Sequence, residues 1–134
     1  MSLIVVDTDV VSFLFRDDAL SGVYSPILEG KQAVISFMSL AELALWPLKS
    51  HWSTVRERRL HDYLEENFGV CFPDEELCRL WAQVRYQGFA KGRPVSPSDA
   101  WIAATARYLS APLVTHNQQH FRHLDRLEIL TAAE

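Results

Sequence analysis

The sequence predicts an α/β domain with a mostly parallel sheet covered by helices on both faces. Short apolar runs recur along the chain: "LIVV" (3–6), "AVIS" (33–36), "GVCF" (69–72) and "PLVT" (112–115). Each is too short for an amphipathic helix and too uniformly apolar for a strand with one wet face. Between them lie longer stretches with helical spacing and helix-start residues. Strands alternating with helices in this way build parallel sheets. No repeat or low-complexity stretch divides the chain, so its 134 residues read as one domain, 1–134, with a single core.

Each element has its own signal. Residues 3–6 read as a strand buried on both faces. Asp9 is suited to cap the following helix, whose apolar positions include Val10, Phe13 and Leu14. Gly22, Pro26 and Gly30 punctuate the next segment, before the second strand at 33–36. "MSLAELALW" (38–46) has helical composition, and Pro47 interrupts it. Residues 52–66 form a charged helix with few apolar anchors, among them Val55, Leu60 and Leu64. After the third strand, Asp74 caps a helix on which Leu77, Leu80, Trp81 and Val84 make an i, i+3, i+4, i+7 stripe. "KGRPVSPS" (91–98) is a loop and "DAWIAATARYL" (99–109) a strong helix. "PLVT" is the fourth strand and "LEIL" (127–130) a candidate fifth.

Bulk properties narrow the function. The formal net charge of −4 gives no support to sequence-independent nucleic-acid binding through overall charge, though a local basic groove is compatible with it. Cys71 and Cys78 match no zinc spacing and read as reduced, packed thiols. No apolar run approaches the roughly 20 residues that span a bilayer, and an acid breaks the first apolar stretch at Asp7, against a signal peptide. The expectation is a cytoplasmic protein without membrane contact.

Ligands of parallel sheets bind beyond the carboxyl ends of the strands. Asp7 sits at one such end and Asn117 just past another. Three acids stand out. Asp7 reads either as a strand-end cap or as a ligand. Glu42, amid apolar and small neighbours, either points to water or is aimed at a shared site. Asp99 completes a capping box with Ser96 and Pro97, or serves a site. Together they are more informative. All three fall where a parallel sheet gathers its functional edge. Converging carboxylates repel and raise one another's pKa. A divalent cation relieves that repulsion, and an all-oxygen set suits Mg²⁺ or Mn²⁺ over zinc.

Asp7 in "VVDTDV", Glu42 in "SLAEL", Asp99 in "SPSDAWIAATA" and the segment "LVTHNQQHF" (113–121) resemble, in order, the motifs of PIN-domain ribonucleases. The likeness is to the VapC-type toxins of bacterial toxin–antitoxin pairs and runs from residue 3 to about residue 130. No single motif is specific, but four in this order are. The resemblance implies a PIN-like three-layer α/β/α sandwich with about five parallel strands. It implies an endoribonuclease dependent on Mg²⁺ (or Mn²⁺), usually a homodimer, held inactive by a small antitoxin. Carried over residue by residue, Asp7, Glu42 and Asp99 hold the metal. The Thr8 hydroxyl holds the Asp7 carboxylate or a water, and Ser36 or Ser39 does likewise near Glu42.

The fourth position departs from the family's acidic pattern. Its candidates are Asn117 and His120, neither an anion, which puts a second metal in question. Asn117 can still offer a neutral oxygen or hydrogen-bond an acid. His120 either contacts metal or phosphate, or is a solvated loop residue. For RNA, the contacts expected are Lys91 and Arg93 before Asp99, with His116 and His120 after the fourth strand. Trp46 and Leu48 are candidates for an antitoxin groove, whereas Trp81 and Trp101 read as core. The alternative function is a PIN-like binding module that has lost catalysis and acts through a protein partner.

Overall fold

The computed structural model describes residues 2–133. Five strands form one sheet in the order β3-β2-β1-β4-β5: β1 (Leu3–Val6), β2 (Gln32–Ser36), β3 (Gly69–Cys71), β4 (Leu113–Val114) and β5 (Ile129–Leu130). Every pairing is parallel. β1 is therefore central, flanked by β2 and β4. Its side chains alternate between the two faces, as strand geometry requires. Ile4 and Val6 enter one core with Val10, Val11, Tyr24, Ile35, Leu43 and Leu60. Val5 enters the other with Leu77, Val84, Ile102 and Leu113. This is why "LIVV" has no polar position: all of Ile4, Val5 and Val6 are fully buried.

Six α-helices cover the sheet. α1 (Thr8–Arg16), α2 (Ala19–Leu28), α3 (Phe37–Lys49) and α4 (Thr54–Asn67) supply the Ile4 side. α5 (Glu75–Ala90) and α6 (Pro97–Leu109) supply the Val5 side. α6 lies close on the sheet because Ala100, Ala103, Ala104 and Ala106 keep its inner face thin. None of these helices is long and apolar enough to cross a membrane.

Two expected breaks are absent. Gly22 and Pro26 lie inside α2, where punctuation and no helix was expected, and α3 runs through Pro47 to Lys49. Each proline lies in the last turns of its helix, so each removes only one late helical hydrogen bond. Pro47 is buried, and its carbonyl accepts the Trp52 N–H at 2.9 Å. That burial and the returning chain offset the lost bond. Trp81 and Trp101 are only partly buried; they stack on each other at 5.2 Å against the Val5-side core.

Candidate active site

The carboxyl edge of β1 opens into a cleft of about 440 Å³ floored by Asp7, Asp9, Glu42 and Asp99. Asp7 is the residue where β1 hands over to α1. Its Oδ1 accepts the Thr8 N–H at 2.8 Å, which makes it the α1 cap. Its Oδ2 accepts the Thr115 hydroxyl at 2.7 Å, from the end of β4. The residue is 6% exposed. Burial, then the charges of Asp9 and Asp99, push its pKa up to about 8 against the pull of these hydrogen bonds.

This reverses one expectation. Asp9 was assigned the cap, and Asp7 holds it instead. Asp9 lies in the first turn of α1 and lines the cleft beside Asp7. Its Oδ1 accepts the Val10 N–H at 2.7 Å and its Oδ2 accepts Asn117 Nδ2–H at 2.8 Å. Burial raises its pKa too. Helix geometry explains the exchange: only the residue before the first helical turn has an extended backbone, and Asp7 has it (φ −68°, ψ 153°).

Glu42 reaches the cleft from α3. Its Oε1 stands 2.7 Å from Thr8 Oγ1, which stands 2.8 Å from Ser39 Oγ. Thr8 thus serves two acids by two groups. Its N–H holds Asp7, and its hydroxyl holds Glu42 rather than Asp7. Of the two serines considered near Glu42, Ser39 is the one linked to it. Ser36, fully buried, caps α3 through the Met38 N–H at 3.1 Å.

Asp99 is in the first turn of α6, where Ser96 Oγ accepts the Asp99 N–H at 3.2 Å. Half of the capping box is present. The Asp99 carboxylate faces His120 instead of turning back, with Oδ2 3.1 Å from Nδ1. His120 belongs to a 3-10 turn (Gln118–His120) and lines the cleft. Asn117, at the start of that turn, spends its amide on Asp9.

The expected RNA contacts divide. Arg93 shares a second shallow pocket with Asp99 and His120. Lys91 turns away and pairs with Asp125 at 3.0 Å. His116 also turns away: its Nδ1 is 2.6 Å from the Tyr24 hydroxyl and its ring meets Phe13 edge-on. Asp9, Thr115 and Arg16 contribute to the site without having been singled out as members of it. The signal for Asp9 and Thr115 was their place at strand ends.

The donor set fits a divalent cation. It is all oxygen, and it holds a buried carboxylate that burial and neighbouring acids keep from ionising until a positive charge compensates. Among the described residues, the grouping whose ligand atoms all fall within 4.8 Å is elsewhere, His61, Asp62 and Glu65 on exposed α4. The cleft acids stand wider apart than that.

The fold is a parallel α/β sheet with helices on both faces and four acids gathered at its carboxyl edge. The PIN domain family matches residues 4–127, and the chain belongs to that family. It is 29% identical over 125 residues to "Ribonuclease VapC1" of Haemophilus influenzae (strain R2866), covering 92% of each chain. It is 28% identical over 129 residues to "Toxin FitB" of Neisseria gonorrhoeae, covering 89% of this chain and 91% of the other. Among solved structures it resembles VapBC-1 from nontypeable Haemophilus influenzae, with a TM-score of 0.81 and 27% identity over 96% of this chain and 97% of that one.

Proposed function

We propose that this protein is a metal-dependent endoribonuclease and the toxin of a toxin–antitoxin pair. The observation that carries the reading is the meeting of Asp7, Asp9, Glu42 and Asp99 in one cleft at the carboxyl edge of the sheet. The family membership and the names of the relatives, a ribonuclease and a toxin, support the same reading.

Asp7, Glu42 and Asp99 would hold Mg²⁺ or Mn²⁺, with Asp9 as a fourth acid beside them. When bound, the ion acts as a Lewis acid that makes water a better nucleophile and offsets charge on the phosphate. The protein supplies the positioning. Thr115 and the Thr8 N–H fix both oxygens of Asp7. Asn117 aims Asp9. Thr8 fixes one oxygen of Glu42, leaving the other to accept a hydrogen bond from the attacking water. In-line attack by water on phosphorus would form a new P–O bond as the P–O3′ bond breaks, leaving a 5′-phosphate and a 3′-hydroxyl that takes its proton from solvent. Arg93 and His120 contact the RNA backbone next to Asp99. The protein acts in the cytoplasm as a homodimer, and a small antitoxin covers the cleft.

The rival reading, an inactive binding module, draws on Asn117 and His120, neither of them an acid, at the fourth position. Asp9 weakens that argument, since it brings the cleft to four carboxylates. The test is cleavage of single-stranded RNA with Mg²⁺ or Mn²⁺ by the free protein, with Asp7→Asn and Asp99→Asn as controls. Cleavage by wild type alone supports the reading. Equal cleavage by all three sinks the site, and no cleavage of any RNA favours the binding module.

A further inference from the structure

The cleft poses an electrostatic problem that its acids do not solve. Four carboxylates face a polyanionic substrate. Among the described residues lining the cleft, Arg16 is the sole permanently charged cation. It reaches the cleft through helix spacing. Asp9, Ser12 and Arg16 fall three and four residues apart on α1, so they share one face. Arg16 lines the cleft wall together with Ser12 and with Trp46 of α3.

The guanidinium is held there. It lies over the Trp46 ring at 5.9 Å and the Phe13 ring at 5.7 Å. Asp18 pairs with it at 3.3 Å. Trp46 is itself braced by Trp52 at 4.6 Å and Phe15 at 6.2 Å. The side chain remains 43% exposed. An exposed pair such as Arg16–Asp18 adds little to stability, so the fold has small need of this charge. A planar guanidinium with free N–H groups, pre-positioned on an aromatic surface, matches the fork geometry of a phosphate.

We propose that Arg16 binds a backbone phosphate of the RNA on the α1–α3 wall of the cleft. At the other end, the pocket of Arg93 and His120 continues from Asp99 without any residue of α1 or α3. A single strand held at both ends passes over the four acids. This assignment rests on the nuclease reading for its substrate.

The test is binding of a fluorescent single-stranded oligoribonucleotide, followed by anisotropy across a KCl series in Ca²⁺. Arg16→Gln keeps the stem over Trp46 and removes the charge; a thermal melt checks its fold. The expected result is a loss of affinity of about tenfold. The slope of log affinity against log salt should fall by about 0.7, the value for one phosphate contact on a single strand. Arg16→Lys should recover the slope and only part of the affinity. Wild-type affinity and slope in a folded Arg16→Gln protein overturn the proposal. Parallel Mg²⁺ cleavage by wild type separates the two claims. Cleavage with binding indifferent to Arg16 sinks this assignment alone. Arg16-dependent binding without cleavage keeps the phosphate contact and sinks the nuclease.

Discussion

Thr8 Oγ1 stands 2.7 Å from Glu42 Oε1, which ties the first residue of α1 to the middle of α3 across the mouth of the cleft. The two residues are far apart in sequence, and both helices begin at carboxyl ends of neighbouring strands. The bond fixes an acid whose carboxylate has no backbone N–H to hold it. Thr8→Val keeps the shape and deletes the hydroxyl. Stability should fall by about 1 kcal/mol, while turnover falls about tenfold as Glu42 loses its fixed rotamer. Thr8→Ser should restore both. Thermal melts and single-turnover cleavage measure the two effects separately.

Asp7→Asn should stabilise the metal-free protein while abolishing cleavage. Folding raises the Asp7 pKa from the ordinary 3.8 to about 8. Between those values the unfolded chain has released a proton that the folded chain keeps, so stability falls as pH rises through that window. Below it, wild type and variant should converge, because Asp7 is protonated in both states. Asparagine is neutral and of similar shape, so it escapes the loss. Calorimetry in EDTA at pH 4, 6 and 8 tests this; a variant less stable than wild type at pH 8 contradicts it.

The same buried charge makes divalent cations stabilising. Mn²⁺ binding to the folded state alone should raise the melting temperature in a concentration-dependent manner, and Asp7→Asn should blunt the increase. Titration of Mn²⁺ by calorimetry gives the affinity directly. No change in wild-type melting up to millimolar Mn²⁺ counts against the proposed donor set.

Asp9→Asn should behave as a site variant and not as a lost cap. Asp7 holds the cap, so the stability change should be small. Cleavage should fall at least as far as in Asn117→Ala, which leaves Asp9 charged but unaimed. A fall in stability of about 1 kcal/mol with activity intact is what a cap predicts, and that pattern would return Asp9 to its earlier role.

Gly88→Ala should harm both fold and site. A Cβ there would lie 2.9 Å from the Arg93 carbonyl oxygen and 3.0 Å from Val95 N. Both are backbone atoms of the loop leading to Ser96 and Asp99. Overpacking of this kind costs about 1–3 kcal/mol. The displaced loop should also lower cleavage more than the stability loss explains, measured well below the melting temperature.

The alternation of strands and helices along the chain was legible because strands such as β1 and β4 are buried on both faces and tolerate no polar residue. The three acids first singled out do line one cleft. What the sequence hid were the partners. Thr115 meets Asp7 and Asn117 meets Asp9, each across 108 residues of chain, and no local pattern encodes which acid each would take. The cap falls to Asp7 and not to Asp9 because both fit a cap by composition, and only the backbone angles at Asp7 decide it. Pro26 and Pro47 misled for another reason. Tertiary burial outweighs one missing helical bond, and propensity alone does not weigh burial. Lys91 and His116 were named from proximity in sequence, yet Asp125 and Tyr24 claim them.

The central place of β1 governs when the cleft can exist. Asp7 precedes its Thr115 partner by 108 residues, and Asp9 precedes the Asn117 that aims it by the same interval. The parallel register leaves no local hairpin by which the first strand could mature alone. Before β4 is in place, each aspartate has only its local N–H contact, from Thr8 or Val10. The cleft therefore takes its final form only when β4 docks beside β1 and brings Thr115 and Asn117 to the two aspartates.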